Sequence, residues 1–205
     1  MNSYTVVAKS FVELTGEEIK AYSAGSIGLG ALENRSRIRK VAEFCAKTWP
    51  GDLIEIGLGH GKTTMILAEI ARKHGRRVIG IDPFSVMGTG WGDNYYDVFL
   101  ENTGPWRDTI DLIKRSSMDP EVISTIMARD LCFAYVDGLH TYEACFSDIL
   151  SVGHCKGIIA VDDIHMQGKG TYQTELLRAF LDGAASLGRV PMDCSLSREG
   201  YLVLR

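Results

Sequence analysis

The 205-residue chain lacks three features that would direct its interpretation: a long apolar run, a cluster of positive charge and closely paired cysteines. No stretch approaches the ~18 apolar residues that a membrane-spanning helix needs, and residues 1–16 lack the apolar centre of a secretion signal. The five cysteines have no C-x-x-C spacing and are odd in number, which is typical of free thiols in a reducing compartment. We therefore expect a cytoplasmic protein with no membrane partner.

The charge balance argues against a nucleic-acid partner. The formal net charge is −4, and the basic residues form no long stripe of the kind that contacts a phosphate backbone. With 45% hydrophobic and 23% charged residues, the composition is typical of a protein with one soluble globular core.

Apolar segments alternate with helical patterns from residue 52 onward, which predicts a parallel sheet with helices on both faces. We predict an α/β fold: a Rossmann-like, doubly wound and mostly parallel seven-stranded sheet that ends in an antiparallel hairpin. A helical segment over residues 1–50, which could act as a lid, precedes one domain over residues 51–205. The predicted strands cover residues 53–57, 77–82, 109–114, 131–137 and 157–162, with a hairpin over 192–196 and 201–205.

The first predicted strand ends in an acidic residue and three alternating glycines, namely Glu55, Gly57, Gly59 and Gly61. A dinucleotide fingerprint, G-x-G-x-x-G, would need glycine at its sixth position, where Lys62 stands. A phosphate loop, G-x-x-x-x-G-K-[ST], would need glycine at position 56, which is isoleucine. The remaining pattern, acidic-x-Gly-x-Gly-x-Gly, resembles motif I of the class I S-adenosylmethionine-dependent methyltransferases.

This resemblance implies that the glycine turn, residues 57–61, binds S-adenosylmethionine. Glu55 would then hold the cationic amino-acid end of the cofactor, and Asp82, at the end of the second strand, would accept hydrogen bonds from the ribose hydroxyls. Asp82 could instead be a turn residue before Pro83. Ser117 lies in a segment that resembles the Gly-Ala-Ser-Gln-Asp segment of catechol O-methyltransferase-like enzymes, which implies an adenine contact, although Arg115 replaces the glycine and Ser117 could simply begin a helix.

Three aspartates follow two neighbouring strands: Asp137 after the fourth, and Asp162 and Asp163 after the fifth. The carboxyl ends of adjacent parallel strands face one crevice, so these carboxylates should converge there. A divalent cation such as Mg²⁺ would relieve their repulsion. Single aspartates at these positions could instead cap the following helices.

The pattern D-G-x-H-x-Y-E that begins at Asp137, followed by V-D-D, resembles the metal-dependent O-methyltransferases. These include the catechol type and the macrolide-sugar type, with its cephalosporin-hydroxylase-like relatives, and the resemblance covers roughly residues 52–164. It implies a metal at Asp137, Asp162 and Asp163, and a catalytic base at His140, where a near-neutral imidazole suits removal of a hydroxyl proton. His165 is the alternative base.

We therefore expect an S-adenosylmethionine-dependent, Mg²⁺-assisted O-methyltransferase that acts on a hydroxyl of a small molecule or sugar, with Asp137 and His140 as catalytic residues. The alternatives are a non-catalytic S-adenosylmethionine-binding protein and, less favoured, a phosphate-loop nucleotide-binding protein. An exposed edge strand at the end of the chain could support a homo-oligomer.

Overall fold

The computed structural model describes residues 30–85, 93–164, 172–193 and 199–204. The helices are α1 (Gly30–Thr48), α2 (Lys62–Lys73), α3 (Tyr95–Thr103), α4 (Pro120–Met127), α5 (Tyr142–Ser151) and α6 (Tyr172–Leu187), with a 3₁₀ helix η1 (Gly104–Thr109). The strands are β1 (Asp52–Ile56), β2 (Val78–Ile81), β3 (Ile110–Ile113), β4 (Leu131–Val136), β5 (Ile158–Val161), β6 (Val190–Asp193) and β7 (Gly200–Val203). Within these ranges, no helix combines the length and apolar character needed to cross a membrane.

The seven strands form one sheet in the order β3-β2-β1-β4-β5-β7-β6. The first five are parallel, while β7 runs antiparallel to both β5 and β6. The predicted fold class, including its antiparallel C-terminal pair of strands, is confirmed.

The C-terminal strands differ in detail from the prediction. Strand β6 covers Val190–Asp193 rather than residues 192–196, and it forms the edge of the sheet. The last strand of the chain, β7, lies between β5 and β6, so the sheet edge in this region is β6 and not the chain end, and β3 forms the other edge. An edge strand tolerates Pro191, because the missing N–H removes no hydrogen bond that an inner strand would need.

The sheet is buried on both faces, which explains the nearly continuous apolar sequence of β4, all six residues of which are buried. Side chains of α4, α5 and α6 pack on one face, and those of α1 and α2 on the other. Ile38, Val41 and Cys45 of α1 are almost completely buried. The described part of the predicted N-terminal segment is therefore packed against the sheet, while residues 1–29 lie outside the described residues.

Two helix starts fix the loops at the carboxyl edge of the sheet. Asp119 caps α4 by accepting a hydrogen bond of 3.0 Å from the Glu121 amide, with Pro120 in the first turn. Thr141 caps α5 in the same way through the Ala144 amide, at 3.3 Å. The loops that carry Ser117 and His140 therefore end at defined positions.

Candidate active site

The glycine turn has the conformation that its sequence predicts. Gly57, Gly59 and Gly61 all have positive φ, at 86°, 49° and 76°. A methyl group placed on Gly57 would lie 1.9 Å from the Asp137 carbonyl oxygen, and one on Gly61 would lie 2.9 Å from the Phe99 ring. Both the backbone conformation and the close approach of neighbouring atoms therefore require glycine at these positions.

Asp82 holds the glycine turn in place. Its Oδ2 accepts hydrogen bonds from the amides of Leu58, at 2.8 Å, and Gly59, at 3.3 Å. Its Oδ1 accepts from the Phe84 amide at 2.6 Å and from the Tyr95 hydroxyl at 3.1 Å. These four donors use the roughly four acceptor positions of a carboxylate. The ribose contact stays a prediction, and a ribose hydroxyl would have to replace one of these donors.

Glu55 lies inside β1, next to the turn, and is only 1% exposed. Its Oε2 has no hydrogen-bond partner among the described residues. Burial raises the pKa of this carboxyl well above its usual value, the Thr64 hydroxyl opposes the rise, and the charges of Asp137 and Asp82 add to it. A cationic group would satisfy this buried acid.

Asp137, His140 and Asp163 come together at the ends of β4 and β5, and we call these three residues the acid cluster. One potential ligand atom from each lies within 4.8 Å of the others. His140 Nε2 is 3.4 Å from Asp137 Oδ1, and His140 Nδ1 is 3.8 Å from Asp163 Oδ2. Asp163 has a φ of 57°, a strained backbone conformation of the kind that is concentrated at functional sites.

Neighbouring groups shift the pKa values of Asp137 and His140 within the acid cluster. Desolvation raises the pKa of the Asp137 carboxyl, the hydrogen bond from His140 opposes this, and the charges of Asp162 and Asp163 add to it. The hydrogen bond with Asp137 in turn raises the pKa of His140. The imidazole therefore binds a proton more tightly than a free histidine does, as a base between two acids should.

Asp162, predicted beside Asp137 and Asp163, faces a different neighbour. The Tyr135 hydroxyl bonds to it, and burial, followed by the charges of Asp137 and Asp162, raises the pKa of Tyr135 well above its usual value. The structure therefore brings Asp137 and Asp163 together with His140, and places Asp162 just beside them, against Tyr135.

A buried ion pair behind Asp162 was not predicted from the sequence. Arg37 Nη1 of α1 lies 2.8 Å from Glu199 Oε2, and the Tyr201 hydroxyl donates to the same oxygen at 3.1 Å. Val161 pairs with Gly200, so Glu199 stands across from Asp162 at the strand ends. Burial raises the pKa of Glu199 to about 7, with Arg37 opposing and Asp162 adding to the rise. No local sequence signal marks this pair, because Glu199 lies in a predicted turn.

Ser117 lies in the loop between β3 and α4, where its hydroxyl lowers the pKa of the buried Asp148 carboxyl. Arg115, which replaces the expected glycine, turns toward the start of α4 and pairs with Asp119, at 2.6 Å, and Glu121, at 2.5 Å. The guanidinium is therefore held at the start of α4. His165 lies outside the described residues.

The chain resembles known proteins in sequence and in fold. Residues 54–164 match the sequence model of a protein family that is described as "Methyltransferase domain". The fold is similar to CalS11, a TDP-rhamnose 3'-O-methyltransferase of calicheamicin biosynthesis, with a TM-score of 0.62 and 14% identity over 95% of this chain and 93% of that chain. A search of curated proteins gives no match.

Two further structures have a similar fold. The O-methyltransferase from Bacillus cereus, solved with SAH, gives a TM-score of 0.57 and 14% identity over 96% of this chain and 91% of that chain. TomG from Streptomyces achromogenes, an O-methyltransferase of tomaymycin synthesis solved with SAM, gives 0.57 and 12% identity over 95% and 90% of the two chains. At these identities, the likeness establishes a shared fold.

Proposed function

The chain belongs to the methyltransferase family, since the family match covers more than half of it, and on this basis we propose that it transfers a methyl group from S-adenosylmethionine to a hydroxyl oxygen of a small molecule or sugar. The identification of a methyltransferase from the sequence motifs is confirmed by this membership. The choice of oxygen as acceptor is supported by the acid cluster and by the fold relatives, among which CalS11 is described as a TDP-rhamnose 3'-O-methyltransferase.

The observation that carries the proposal is the contact between the glycine turn and the acid cluster. Gly57 lies so close to the Asp137 carbonyl that no side chain fits between them, and the Asp137 amide donates to the Ile56 carbonyl at 2.8 Å. A cofactor on the turn and an acceptor at the acid cluster would therefore be immediate neighbours. Alignment of two reactants in this way supplies up to roughly 7–11 kcal/mol of a barrier.

The residues around the turn fit S-adenosylmethionine. Glu55 is a buried acid with an unpaired oxygen, which suits the ammonium group of the cofactor. The three glycines leave the backbone open at the start of α2, where amide groups point outward. When bound, the cofactor supplies an electrophilic methyl group on a positively charged sulfur.

The residues at the acid cluster also fit a divalent cation. Asp137 and Asp163 supply oxygen ligands of the kind that Mg²⁺ prefers, and Asp162 stands beside them. In addition to desolvation, the charges of Asp162 and Asp163 raise the pKa of the Asp137 carboxyl. A divalent cation would relieve this repulsion. When bound, it would polarise an acceptor hydroxyl and lower the pKa of that hydroxyl.

His140 would take the acceptor proton. Its ring is held between two carboxylates, and both contacts favour the protonated imidazole that forms when the proton arrives. Asp137 and Asp163 therefore orient the base and stabilise its product. No covalent enzyme intermediate is needed for direct transfer from sulfur to oxygen.

The test is a methyl-transfer assay with labelled S-adenosylmethionine, using catechol and TDP-rhamnose as vicinal diols and cyclohexanol as a single hydroxyl. We expect transfer to a diol, with a strong decrease on chelation of Mg²⁺. His140→Ala should lower transfer by about 10²–10⁴-fold while S-adenosylhomocysteine still binds. His154→Ala, which alters an exposed histidine, should transfer at the wild-type rate. Binding of S-adenosylhomocysteine without transfer to any hydroxyl would favour a non-catalytic role. Stabilisation by ATP alone would favour a phosphate-loop protein.

A further inference from the structure

The buried pair of Arg37 and Glu199 takes no part in the reaction described above. Their side chains are 4% and 0% exposed, and they meet at 2.8 Å. Arg37 belongs to α1, whereas Glu199 directly precedes β7, so the pair joins two distant parts of the chain. A buried ion pair adds little to stability compared with an apolar pair of similar volume, because both charges lose their water. Stability alone therefore does not account for this pair.

The strand register places Glu199 at the end of a row of acids. The antiparallel register of β5 and β7 brings Asp162 opposite Glu199, one step beyond the pair of Val161 and Gly200. Side chains at opposed positions point to the same face of a sheet, with Cβ atoms about 4.5–5.5 Å apart. The parallel register of β4 and β5 brings Asp137 beside Asp162 in the same way. Asp137, Asp162 and Glu199 therefore form one row across three strands, which we call the acid row.

The contacts of Tyr135 place the acid row on the face of the sheet that α1 covers. The Tyr135 side chain packs in the same cluster as Ile38 and Val41 of α1. Its hydroxyl bonds to Asp162, and burial raises its pKa, with the charges of all three acids in the row adding to the rise. The three carboxyl groups therefore lie around one buried hydroxyl, and Arg37 reaches the row from α1 at its Glu199 end.

Without Glu199, Arg37 would compete with a cation for the acid row. A guanidinium keeps its charge in proteins and binds carboxylates strongly. Asp162 is the next acid in the row, so it would be the partner that remains. An ion pair between Arg37 and Asp162 would occupy carboxylate oxygens that lie beside the acid cluster, and it would add a positive charge there. The carboxylate of Glu199 holds the guanidinium at the far end of the row.

Building on the proposed function, we propose that Glu199 is a positioning residue for the cation at the acid cluster: it holds Arg37 away from Asp162, so that Asp162 can turn toward the cation. Glu199 acts through Arg37 and Asp162 and does not itself touch a reactant. The Tyr201 hydroxyl donates to the same Glu199 oxygen at 3.1 Å and fixes the carboxyl group in place.

The test is calorimetric titration of Mg²⁺ into the wild type, Glu199→Gln, Arg37→Gln and the double variant, at about pH 8 so that Glu199 carries its charge. Glu199→Gln should weaken Mg²⁺ binding by about 10–100-fold, as loss of residues that orient metal ligands does. Arg37→Gln removes the competing charge and should bind Mg²⁺ at least as tightly as the wild type. The double variant should recover most of the lost affinity, because no guanidinium remains to pair with Asp162. Glu69→Gln, which removes the exposed partner of Arg39 on the same helix, should bind Mg²⁺ as the wild type does.

The opposite directions of the two single changes separate this role from a structural one. If the pair merely held the site together, both single variants would bind Mg²⁺ more weakly and the double variant most weakly of all. That result, or wild-type affinity in Glu199→Gln, would overturn the proposal. Should Glu199→Gln fail to fold, as judged by circular dichroism, Arg37→Gln decides, and weaker Mg²⁺ binding there refutes the assignment.

Titration of S-adenosylhomocysteine into the same proteins separates this inference from the proposed function. All four proteins should bind S-adenosylhomocysteine with the same affinity, because the glycine turn does not depend on the pair. If the wild type binds S-adenosylhomocysteine but no Mg²⁺, this inference fails while the proposed methyl transfer stands. If the wild type binds neither, both fail.

Discussion

The glycine turn and the acid cluster lie side by side at the carboxyl edge of the sheet, yet their polar groups are satisfied to very different degrees. In the turn, Asp82 accepts four hydrogen bonds, three from backbone amides and one from Tyr95. In the acid cluster, His140 makes two long contacts, at 3.4 and 3.8 Å, and the pKa of Asp137 is raised by desolvation. Asp82 is fully hydrogen-bonded, while in the acid cluster the carboxylates of Asp137 and Asp163 face one imidazole at longer distances.

The two halves of the site therefore differ in how far they are preorganised before a ligand binds. The turn is shaped by the protein alone, so its cofactor would meet a preformed surface that needs little reorganisation. The acid cluster is held in place by the fold, but its electrostatic balance depends on what binds there, whether a proton or a cation. Disruption of the turn should therefore impair structure and function together, whereas changes in the acid cluster should separate them.

The largest effect is expected for Gly57→Ala. The added methyl group would lie 1.9 Å from the Asp137 carbonyl oxygen, and φ is 86°, so the backbone must shift. We expect the free energy of unfolding to decrease by about 2–6 kcal/mol, because strain and overpacking combine. S-adenosylhomocysteine binding should be lost. Urea denaturation and calorimetry measure the two effects.

Gly75→Ala is the matched control for this variant. Gly75 also has a positive φ, of 64°, but a methyl group there would meet no atom within 4 Å. Gly75→Ala should lower the free energy of unfolding by only about 1–2 kcal/mol, because of the left-handed conformation, and should leave cofactor binding intact. Equal costs for the two variants would show that the tight contact between turn and acid cluster has no consequence.

The next largest effect is expected for His140→Ala, which should lower kcat by about 10²–10⁴-fold, as removal of a general base does, without loss of stability or of cofactor binding. In the wild type, kcat/KM should rise with pH as the imidazole loses its proton. Since Asp137 raises the pKa of His140, NMR titration of the imidazole in metal-free protein should give a midpoint above 6.5. A flat pH profile, or a variant with full activity, would exclude His140 as the base.

A smaller effect, on the pH dependence of stability, is expected at the buried pair behind the acid cluster. The pKa of Glu199 is raised from 4.5 to about 7, so the folded state holds this proton more tightly than the unfolded state does. The contribution to the free energy of unfolding is therefore complete below pH 4.5 and decreases as pH rises toward about 7, by about 1–3 kcal/mol. Urea denaturation at about pH 5 and about pH 8 should show this decrease.

Glu199→Gln should reduce this pH dependence, and the exposed Glu175→Gln should leave it as it is in the wild type. The same slope in the wild type and in Glu199→Gln would mean that the proton is not held at this carboxyl. The result bears on the comparison directly, because the Asp82 carboxylate at the turn accepts hydrogen bonds from two turn amides.

The two regions also differ in how far the sequence predicts them. The glycine turn is a local pattern, since the strand, the three glycines and Asp82 are separated by short spacings that force one conformation. Asp137 and Asp163 could be placed at one edge from strand order alone. The distances from His140 to both carboxylates depend on the conformations of two loops, which the sequence does not predict.

Long-range contacts explain what the sequence does not predict. Asp148 reads as one polar position on an amphipathic helix, and Arg37 and Glu199 are 162 positions apart in the chain. Their burial depends on how α1, α5 and β7 pack against the sheet, which no local spacing encodes. For the same reason, the sequence predicts strand β6 two residues too late, since its register is set by pairing with β7.

Calorimetric titration of Mg²⁺ tests most directly the claim that the acid cluster is completed by a cation beside a preformed cofactor turn. The wild type should bind one Mg²⁺, and Asp163→Asn, which removes a charge without changing the shape of the side chain, should lose that binding while S-adenosylhomocysteine still binds with wild-type affinity. No Mg²⁺ binding by the wild type, or equal binding by Asp163→Asn, would contradict the account.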